Sequence, residues 1–397
     1  MSNSYLVIGD VTREIQRVLH EKATFIKTIN NQYDDRFAKS GAKIGDSLEI
    51  RLPNQYTVRT GRVADVQATN EQSTTLTVAT QKGVDLGQFT SADLALSMDD
   101  FSDRIVKPAI SVLVSDIEAD VLQGVTKAVA NTVGAAGTTP ATMTVWGQAR
   151  QKLNESLAPQ ENRCVQMSSK TSASMTNAYS TLFNPGSAIS KQYLEGYISR
   201  NSGFDFYENE RVLKLTNSAD IAGTVNETTV ANGDAEMTVT GFSAALEPGM
   251  IFTVDGVYDV HPETKQAYSH LKQFTVLAGT TTTSLKFSPA VYATGARQNV
   301  SAFPSSSLES GTITPVGSAS TAYPYDLAYQ KDVAAFVTAD LPLPKNEDAM
   351  RKTMDGISFR LVVNSWDSTN DVFNTRLDVL YGYKTIRPQL GCRVIGL

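Results

Sequence analysis

The sequence predicts an α+β fold in which a small antiparallel β domain interrupts a larger host domain. Three observations support this prediction: one long helical stripe, a threonine-rich middle segment without helical periodicity, and strand patterns that return near the end of the chain. The chain has 397 residues, a length that allows two or three structural units. Its composition, 41% hydrophobic and 19% charged, is typical of a globular protein.

Composition excludes several classes of function. The net charge is −6 and no cluster of five or more basic residues occurs, which argues against sequence-specific DNA binding. Cys164 and Cys392 are too few for a disulfide framework or a four-ligand zinc site, so we expect free thiols. Without a basic N-terminal region or an apolar run of about 18 residues, we expect neither secretion nor membrane insertion.

The first elements are a helix and a hairpin. Residues 11–30 carry apolar side chains at steps of three and four behind Asp10, a candidate N-cap, and predict an amphipathic helix that packs on its own domain or reaches a neighbouring subunit. Residues 47–53 and 74–80 alternate as strands and predict a long hairpin. Because its tip is polar, this hairpin lies either in solvent or across another molecule.

The strongest helical pattern runs from Asp103 to about Val133. Its apolar stripe is continuous, Pro108 falls in or near the first turn, and the glycine-rich residues 134–140 end it. We therefore predict one long helical strut. After it, an α/β region over residues 141–215 is predicted to contain the following elements: helices near 145–153, 172–182 and 190–195, and a strand at 163–167.

The segment from Thr216 to Leu308 predicts an inserted β domain, either a sandwich or a barrel. Helical periodicity is absent there, and short alternating segments recur between turns marked by glycine or proline. Strand patterns resume at residues 331–344 and 376–381. We expect Gly382 to break the second strand, and Arg387-Pro388 to separate it from a last strand at 392–395.

No motif predicts catalysis. His20, His261 and His270 have no nucleophile elbow, zinc-binding motif or phosphate loop around them, so we expect surface or hydrogen-bonding histidines. The acidic residues within 98–103 directly precede the long helix, where carboxylates favour the helix dipole. We expect no enzyme activity, no cofactor and no metal site.

The C-terminal strands resemble those of a known family. Leu-Ala-Tyr-Gln-Lys-Asp-Val-Ala at 327–334, Leu-Pro-Leu-Pro at 341–344 and residues 376–393 resemble tailed-phage major capsid proteins with the Hong Kong 97-like fold. Weaker similarity at 203–207 and 248–257 is to podoviral coat proteins with a telokin-like, immunoglobulin-like insertion.

This resemblance implies a division of the chain into named parts. These are an N-terminal arm (1–36), an E-loop hairpin with flanking strands (37–100), a spine helix of the peripheral domain (101–135), the first part of the axial domain (136–215), the inserted β domain (216–308), and returning strands of the axial and peripheral domains (309–397). It also implies a structural role: hexamers and pentamers in an icosahedral shell that encloses double-stranded DNA, built in the host cytoplasm with a scaffolding protein and a portal.

The residues implied at subunit contacts lie in the arm, in the hairpin and on the strand after it: Glu14, Arg17, Arg51, Arg59, Arg62 and Lys82. Some shells of this fold link an E-loop lysine to a neighbour's asparagine, and Lys82 lies near that place, although podoviral relatives lack the bond. Relatives dock the scaffold on an acidic arm face, whereas Arg13 stands beside Glu14 here. The alternative is a β-rich tail or decoration protein, which would leave the long helix and hairpin without a role.

Overall fold

The chain folds as a mixture of helices and strands with strands in the majority, which confirms the predicted α+β class. A computed structural model describes residues 23–31, 47–63, 71–90, 107–179, 200, 202–226, 230–301, 311–344, 348–354, 357–367 and 372–396. The chain divides into two compact units. Unit 1 contains residues 1–50, 73–121 and 334–386, and unit 2 contains residues 51–72, 122–333 and 387–397.

The helices of the described residues are α1 (Phe25–Thr28), α2 (Lys107–Ala128), α3 (Met143–Glu155) and α4 (Ser169–Tyr179). The strands are β1 (Ser47–Leu52), β2 (Gln72–Thr77), β3 (Thr80–Thr90), β4 (Thr132–Val133), β5 (Arg163–Met167), β6 (Asp205–Glu208), β7 (Leu213–Thr216), β8 (Gly223–Val225), β9 (Glu236–Thr240), β10 (Ile251–Val260), β11 (Ala267–Val276), β12 (Ser284–Ser288), β13 (Thr312–Pro315), β14 (Ala322–Gln330), β15 (Ala334–Ala339), β16 (Asp348–Met354), β17 (Ile357–Asp367), β18 (Val372–Thr385) and β19 (Gly391–Ile395). Short 3-10 helices at Lys331–Val333 and Pro388–Leu390 precede β15 and β19.

A five-stranded antiparallel sheet forms the centre of unit 1. Strand β18 pairs with β3, β15 and β17, and β16 adds to the far side of β17. Alternate side chains of a strand point to opposite faces of a sheet. Leu377 and Val379 therefore share one face, which packs against α2 around a small apolar cavity. The α2 residues that line this cavity are Ile110, Leu113, Val114 and Ile117.

The opposite face of the same sheet holds the base of the hairpin. Strands β1 and β2 pair with each other as the predicted hairpin requires, although the second strand runs over Gln72–Thr77 rather than 74–80 and β3 begins at Thr80. Ile50, Leu76 and Val78 form one buried apolar cluster with Val337 and Leu380 of the sheet. Burial of such side chains stabilises the contact by roughly 1.5–3 kcal/mol each, so the hairpin is fixed at its base.

Unit 2 contains a mixed sheet and a closed barrel. In the sheet, β14 pairs with β5, β7 and β19, while β6 and β4 add in parallel at the two ends. The predicted strand at 163–167 and the predicted helix near 145–153 are confirmed by β5 and α3. Trp146, Ala149 and Leu153 form the buried face of α3 at helical spacing.

Six antiparallel strands, β8 to β13, close into a barrel in the order β10-β11-β12-β9-β8-β13. Of the two predicted forms, sandwich and barrel, the chain adopts the barrel. Strand β13 closes it, although Thr312–Pro315 lies beyond the expected domain end at residue 308. The barrel core continues into the sheet of unit 2 through Tyr323, Tyr325 and Ile395.

The predicted end of the long helix is wrong. Helix α2 ends at Ala128 rather than near Val133, because Thr132 and Val133 pair in parallel with Arg393 and Val394 of β19. The apolar stripe continues past Ala128 because Val129 is buried, and burial alone does not distinguish a helix from an extended segment. Residues 103–106 and the acidic residues within 98–103 lie outside the described ranges.

The expected strand break at Gly382 is also wrong, since β18 continues to Thr385 and Gly382 pairs with Val337. The glycine is required by a close approach of the backbone. A Cβ at this position would overlap the carbonyl oxygen of Thr77 and lie 2.9 Å from the carbonyl carbon of the same residue.

Three further boundaries differ from the predictions. Of the helix expected over 11–30, the described residues form only the single turn Phe25–Thr28. Ala23 and Thr24 lie outside the helix, Ile29 is extended and Asn30 pairs with Ala335, and residues 11–22 are outside the described ranges. The strand pattern at 331–344 begins with a 3-10 turn before β15, and the helix predicted at 172–182 is α4, which starts earlier, at Ser169. The helix predicted near 190–195 lies outside the described residues.

We predict that Gly382→Ala lowers the stability of the protein by about 1–3 kcal/mol or more, because the added methyl group meets backbone atoms that cannot move aside. Gly147→Ala is the matched control. Gly147 lies in α3 with open space around it, so alanine there should stabilise by about 0.5–1 kcal/mol. Thermal unfolding of both variants measures the difference, and equal melting temperatures would contradict the prediction.

A second prediction concerns Asp326, which is buried on β14 and accepts a hydrogen bond from the Ser168 N–H at 2.9 Å. Burial raises the pKa of Asp326 to about 6. The folded protein therefore holds a proton that the unfolded chain has lost, and stability falls as the pH rises from about 4 to 6. Asp326→Asn keeps the acceptor, so it should remove this dependence and stabilise at pH 7 by at most about 3 kcal/mol.

Urea denaturation of the Asp326→Asn variant and the wild type at several pH values tests this. The difference between the two curves isolates Asp326 from other titrating groups. A constant difference between pH 4 and 7 would show that Asp326 does not titrate in this range.

Candidate assembly surfaces and the barrel junction

The hairpin exposes apolar side chains to solvent. Residues 53–63 form no helix or strand, and they carry Tyr56, Val58 and Val63 with 63%, 96% and 84% of their surface exposed. Three such side chains on one extended segment have no counterpart to bury them within the described part of this chain. A second surface that covers them would gain their burial energy.

The three arginines proposed for the hairpin are all on this exposed segment or at its base. Arg51 forms an ion pair with Glu71 at 3.2 Å, and both side chains are more than half exposed. Arg59 donates to the carbonyl oxygen of Gly61. Arg62 is exposed beside them. An exposed ion pair contributes at most about 1 kcal/mol, so these charges do not fix the hairpin within the chain.

Lys82 occupies a different environment from the arginines. It lies on β3, where its Nζ is 2.7 Å from Asp116 Oδ2 and 3.8 Å from Asp120 Oδ2 of α2. The hydroxyl of Tyr381 donates to Asp120 at 2.5 Å. Burial is the larger cause and the Asp120 carboxylate the smaller cause of a raised pKa at Tyr381. The same two causes raise the pKa of Tyr383 to about 12. Lys82 therefore pairs with carboxylates of its own chain.

The two candidates in the N-terminal arm, Glu14 and Arg17, lie outside the described residues. The described chain begins with the segment 23–31, whose Phe25, Ile26 and Ile29 are buried. This segment contacts Glu118, a fully buried carboxylate of α2 that the sequence predictions did not include. The sequence did indicate that this carboxylate is buried, because Glu118 lies on the apolar stripe, four residues after Val114 and three before Val121.

A second buried charge joins the barrel to its host within unit 2. Arg393 of β19 is fully buried and donates to the carbonyl oxygens of Gly249 at 2.5 Å and Lys127 at 2.6 Å, and to Thr275 Oγ1 at 3.0 Å. Thr275 also donates to the Lys127 carbonyl at 2.9 Å. The carbonyls of the last helical turn lack partners within a helix, so Arg393 and Thr275 cap the end of α2. Burial lowers the pKa of Arg393.

Further polar contacts extend this junction. The Gln273 side chain accepts from the Thr132 N–H at 2.8 Å and donates to the Thr132 carbonyl at 3.0 Å. Nearby, His270 Nε2 lies 3.5 Å from Glu155 of α3 and 3.6 Å from Asp259 of β10, which also pairs with Lys272 at 2.8 Å. The barrel is thus bonded to its host by side chains as well as by its core.

The remaining predictions concern reactive residues. His261 accepts hydrogen bonds through Nδ1 from the N–H groups of Glu263 and Thr264, and His270 lies in the junction, whereas His20 is outside the described residues. Cys164 and Cys392 are free and buried, as expected, and burial raises the pKa of each thiol to about 12. Among the described residues, no cluster suits a metal ion and no helix suits a membrane span.

Comparison with known proteins gives one match of sequence and several of structure. The profile described as "P22 coat protein - gene protein 5" matches residues 19–396. A solved structure titled Mycobacterium phage Che8 is 10% identical, with 94% of this chain and 90% of that chain covered at a TM-score of 0.49. The mature capsid of bacteriophage PhiM1 is 11% identical, with 88% and 81% covered at a TM-score of 0.41. The acidic stable capsid of Helicobacter pylori bacteriophage KHP30 is 8% identical, with 89% and 85% covered at a TM-score of 0.42. No curated protein matches the sequence significantly.

We predict that Arg393→Met destabilises the protein by about 3 kcal/mol or more, because buried carbonyl groups lose a charged donor. Arg51→Met is the control, since its exposed ion pair contributes at most about 1 kcal/mol. Urea denaturation of the two variants measures both effects. Equal losses of stability would contradict the role of Arg393 in the junction.

Proposed function

From the premise that this chain belongs to the P22 coat protein family and is a major capsid protein of a tailed bacteriophage, we propose that hexamers and pentamers of it close into the icosahedral shell of the virion. The match over residues 19–396 carries this proposal. Membership of a capsid family favours a structural role over a catalytic one, and the multimeric shell it implies argues against the alternative of a tail or decoration protein.

The hairpin is the first surface proposed to contact a neighbouring subunit. Its exposed Tyr56, Val58 and Val63 supply apolar area, and the exposed Arg51, Arg59 and Arg62 supply charges on the same hairpin. In an interface, apolar side chains at the centre and charges at the rim give affinity and orientation respectively. The N-terminal arm, with Glu14 and Arg17, is proposed as the second such segment.

The shell is proposed to form without a lysine crosslink. Lys82 is 28% exposed and its amine contacts Asp116 and Asp120 of its own subunit. A crosslink needs a free amine as the nucleophile, so the Lys82 side chain would first have to leave both carboxylates. Contacts between subunits then depend on burial and on hydrogen bonds.

The partners proposed for assembly are a scaffolding protein and a portal, in the host cytoplasm. The genome is proposed to be double-stranded DNA, enclosed without sequence-specific contacts. The net charge of −6 supports this, because a mildly acidic wall limits adhesion of a polyanion. The barrel is proposed to steady the subunit, which the buried junction at Arg393 supports.

Co-expression of the chain with its scaffolding protein, followed by electron microscopy, tests the proposed shell. We expect closed particles, together with capsomer-sized oligomers in size-exclusion chromatography. If only small rings or trimers form when the scaffolding protein is present, the proposal fails.

We predict that the double variant Tyr56→Ser, Val58→Ser lowers the yield of shells roughly ten-fold or more, because each lost apolar contact is worth about 1.5–3 kcal/mol per interface. The stability of the free subunit should stay unchanged, since both side chains are exposed there. Val112→Ser removes a valine that is 64% exposed on α2 and serves as the control. Wild-type yield from the double variant would contradict the role of the hairpin.

A further inference from the structure

One turn of α2 carries three carboxylates with different roles. Asp116 and Asp120 contact Lys82 and Tyr381, as described above, and their side chains are partly exposed. Glu118 lies between them in sequence and points the other way, into the interior of unit 1, with no exposed surface. A buried carboxylate is costly unless donors surround it, so its partners identify what it does.

Three donors to Glu118 come from the beginning of the segment 23–31. Its Oε1 accepts the N–H groups of Thr24 and Phe25, each at 3.0 Å, and the Thr24 hydroxyl at 2.7 Å. Thr24 precedes α1 but makes no side-chain cap of its own. Glu118 supplies that cap from a different helix, 94 residues after Thr24 in the chain.

The other end of the same segment is held by backbone bonds. The Asn30 N–H donates to the Ala334 carbonyl at 3.2 Å, and the Phe336 N–H donates to the Asn30 carbonyl at 3.1 Å. Asn30 thus adds to the edge of β15 in parallel. The segment is fixed at one end by Glu118 and at the other by β15, and residues 1–22 continue from the end at Glu118.

We propose that Glu118 is the positioning residue of the N-terminal arm: its carboxylate fixes the place of Thr24 and Phe25, from which the chain continues back into residues 1–22. The inference rests on the proposed function, in which the arm contacts a neighbouring subunit. Because charge-assisted hydrogen bonds to a buried carboxylate are strong and directional, Thr24 and Phe25 cannot shift without breaking these three bonds. The arm therefore starts from one fixed place in every copy.

Amide hydrogen exchange on the free, unassembled subunit tests the positioning directly. Glu118→Ala should speed exchange within residues 24–31 roughly ten-fold or more, and leave β17 and β18 unchanged. Glu118→Gln keeps an acceptor oxygen and should retain part of the protection. Asp116→Asn, on the same turn, should leave residues 24–31 as in the wild type and speed exchange in β3 instead.

Thr24→Val gives the same test from the other partner, because it removes one donor without touching α2. It keeps the proposal falsifiable if Glu118→Ala does not fold. Unchanged exchange within 24–31 in both Thr24→Val and Glu118→Gln, or a uniform increase over the whole of unit 1, would overturn the proposal.

Assembly with scaffolding protein is measured separately. Slower shell formation by Glu118→Gln and Thr24→Val, but not by Asp116→Asn, supports the positioning role in the shell. If exchange within 24–31 rises and shells still form at the wild-type rate, Glu118 positions the segment, and the proposed contact of the arm with a neighbour is what fails.

Discussion

The packing of β18, which has neighbours at both edges and on both faces, is the constraint on which the rest of unit 1 depends. This strand is bonded along both edges, and each of its faces packs against another part of the chain. Its residues therefore have little freedom. Because Gly382 has no side chain, the Thr77 backbone can pack directly against it. Gly83 on the neighbouring strand likewise leaves room for the Asp378 carboxylate. Burial alone would raise the pKa of Asp378, but hydrogen bonds and charge from Arg376 and Arg360 outweigh it and lower the pKa.

Buried charges recur at places where distant parts of the chain meet. Glu118 and Arg393 each bond to backbone groups that lie far away in sequence, Glu118 in unit 1 and Arg393 in unit 2. A charge in the interior tolerates few alternative partners, since any displacement leaves it without solvent or donors. Apolar packing allows more than one arrangement, whereas the hydrogen bonds of these two residues are directional and join particular backbone groups.

Much of the secondary structure was predictable because it follows local patterns. The strand at 163–167, helix α3 and the hairpin strands appear where period-two and period-3.6 patterns place them. The errors arise where a segment distant in sequence determines the local secondary structure. Helix α2 stops at Ala128 because Thr132 and Val133 pair with β19. Strand β18 continues through Gly382, where the glycine is required because the Thr77 backbone packs against it. The exposure of Arg59 and Arg62 was predictable from the polar composition around them, but the contacts of Glu118, Arg393 and Lys82 are with residues distant in sequence, which no local pattern encodes.

The exposed hairpin has a consequence for the accuracy with which subunits would join the proposed shell. Tyr56, Val58 and Val63 offer a modest apolar area, and a single contact of that size also has to offset the lost freedom of the two partners. In the proposed shell such a contact would form and break repeatedly, so a subunit that docks at the wrong angle would dissociate before others enclose it. Only when several neighbours engage one copy together does its residence become long. Weak individual contacts thereby allow errors to be corrected during growth, while the closed lattice remains durable.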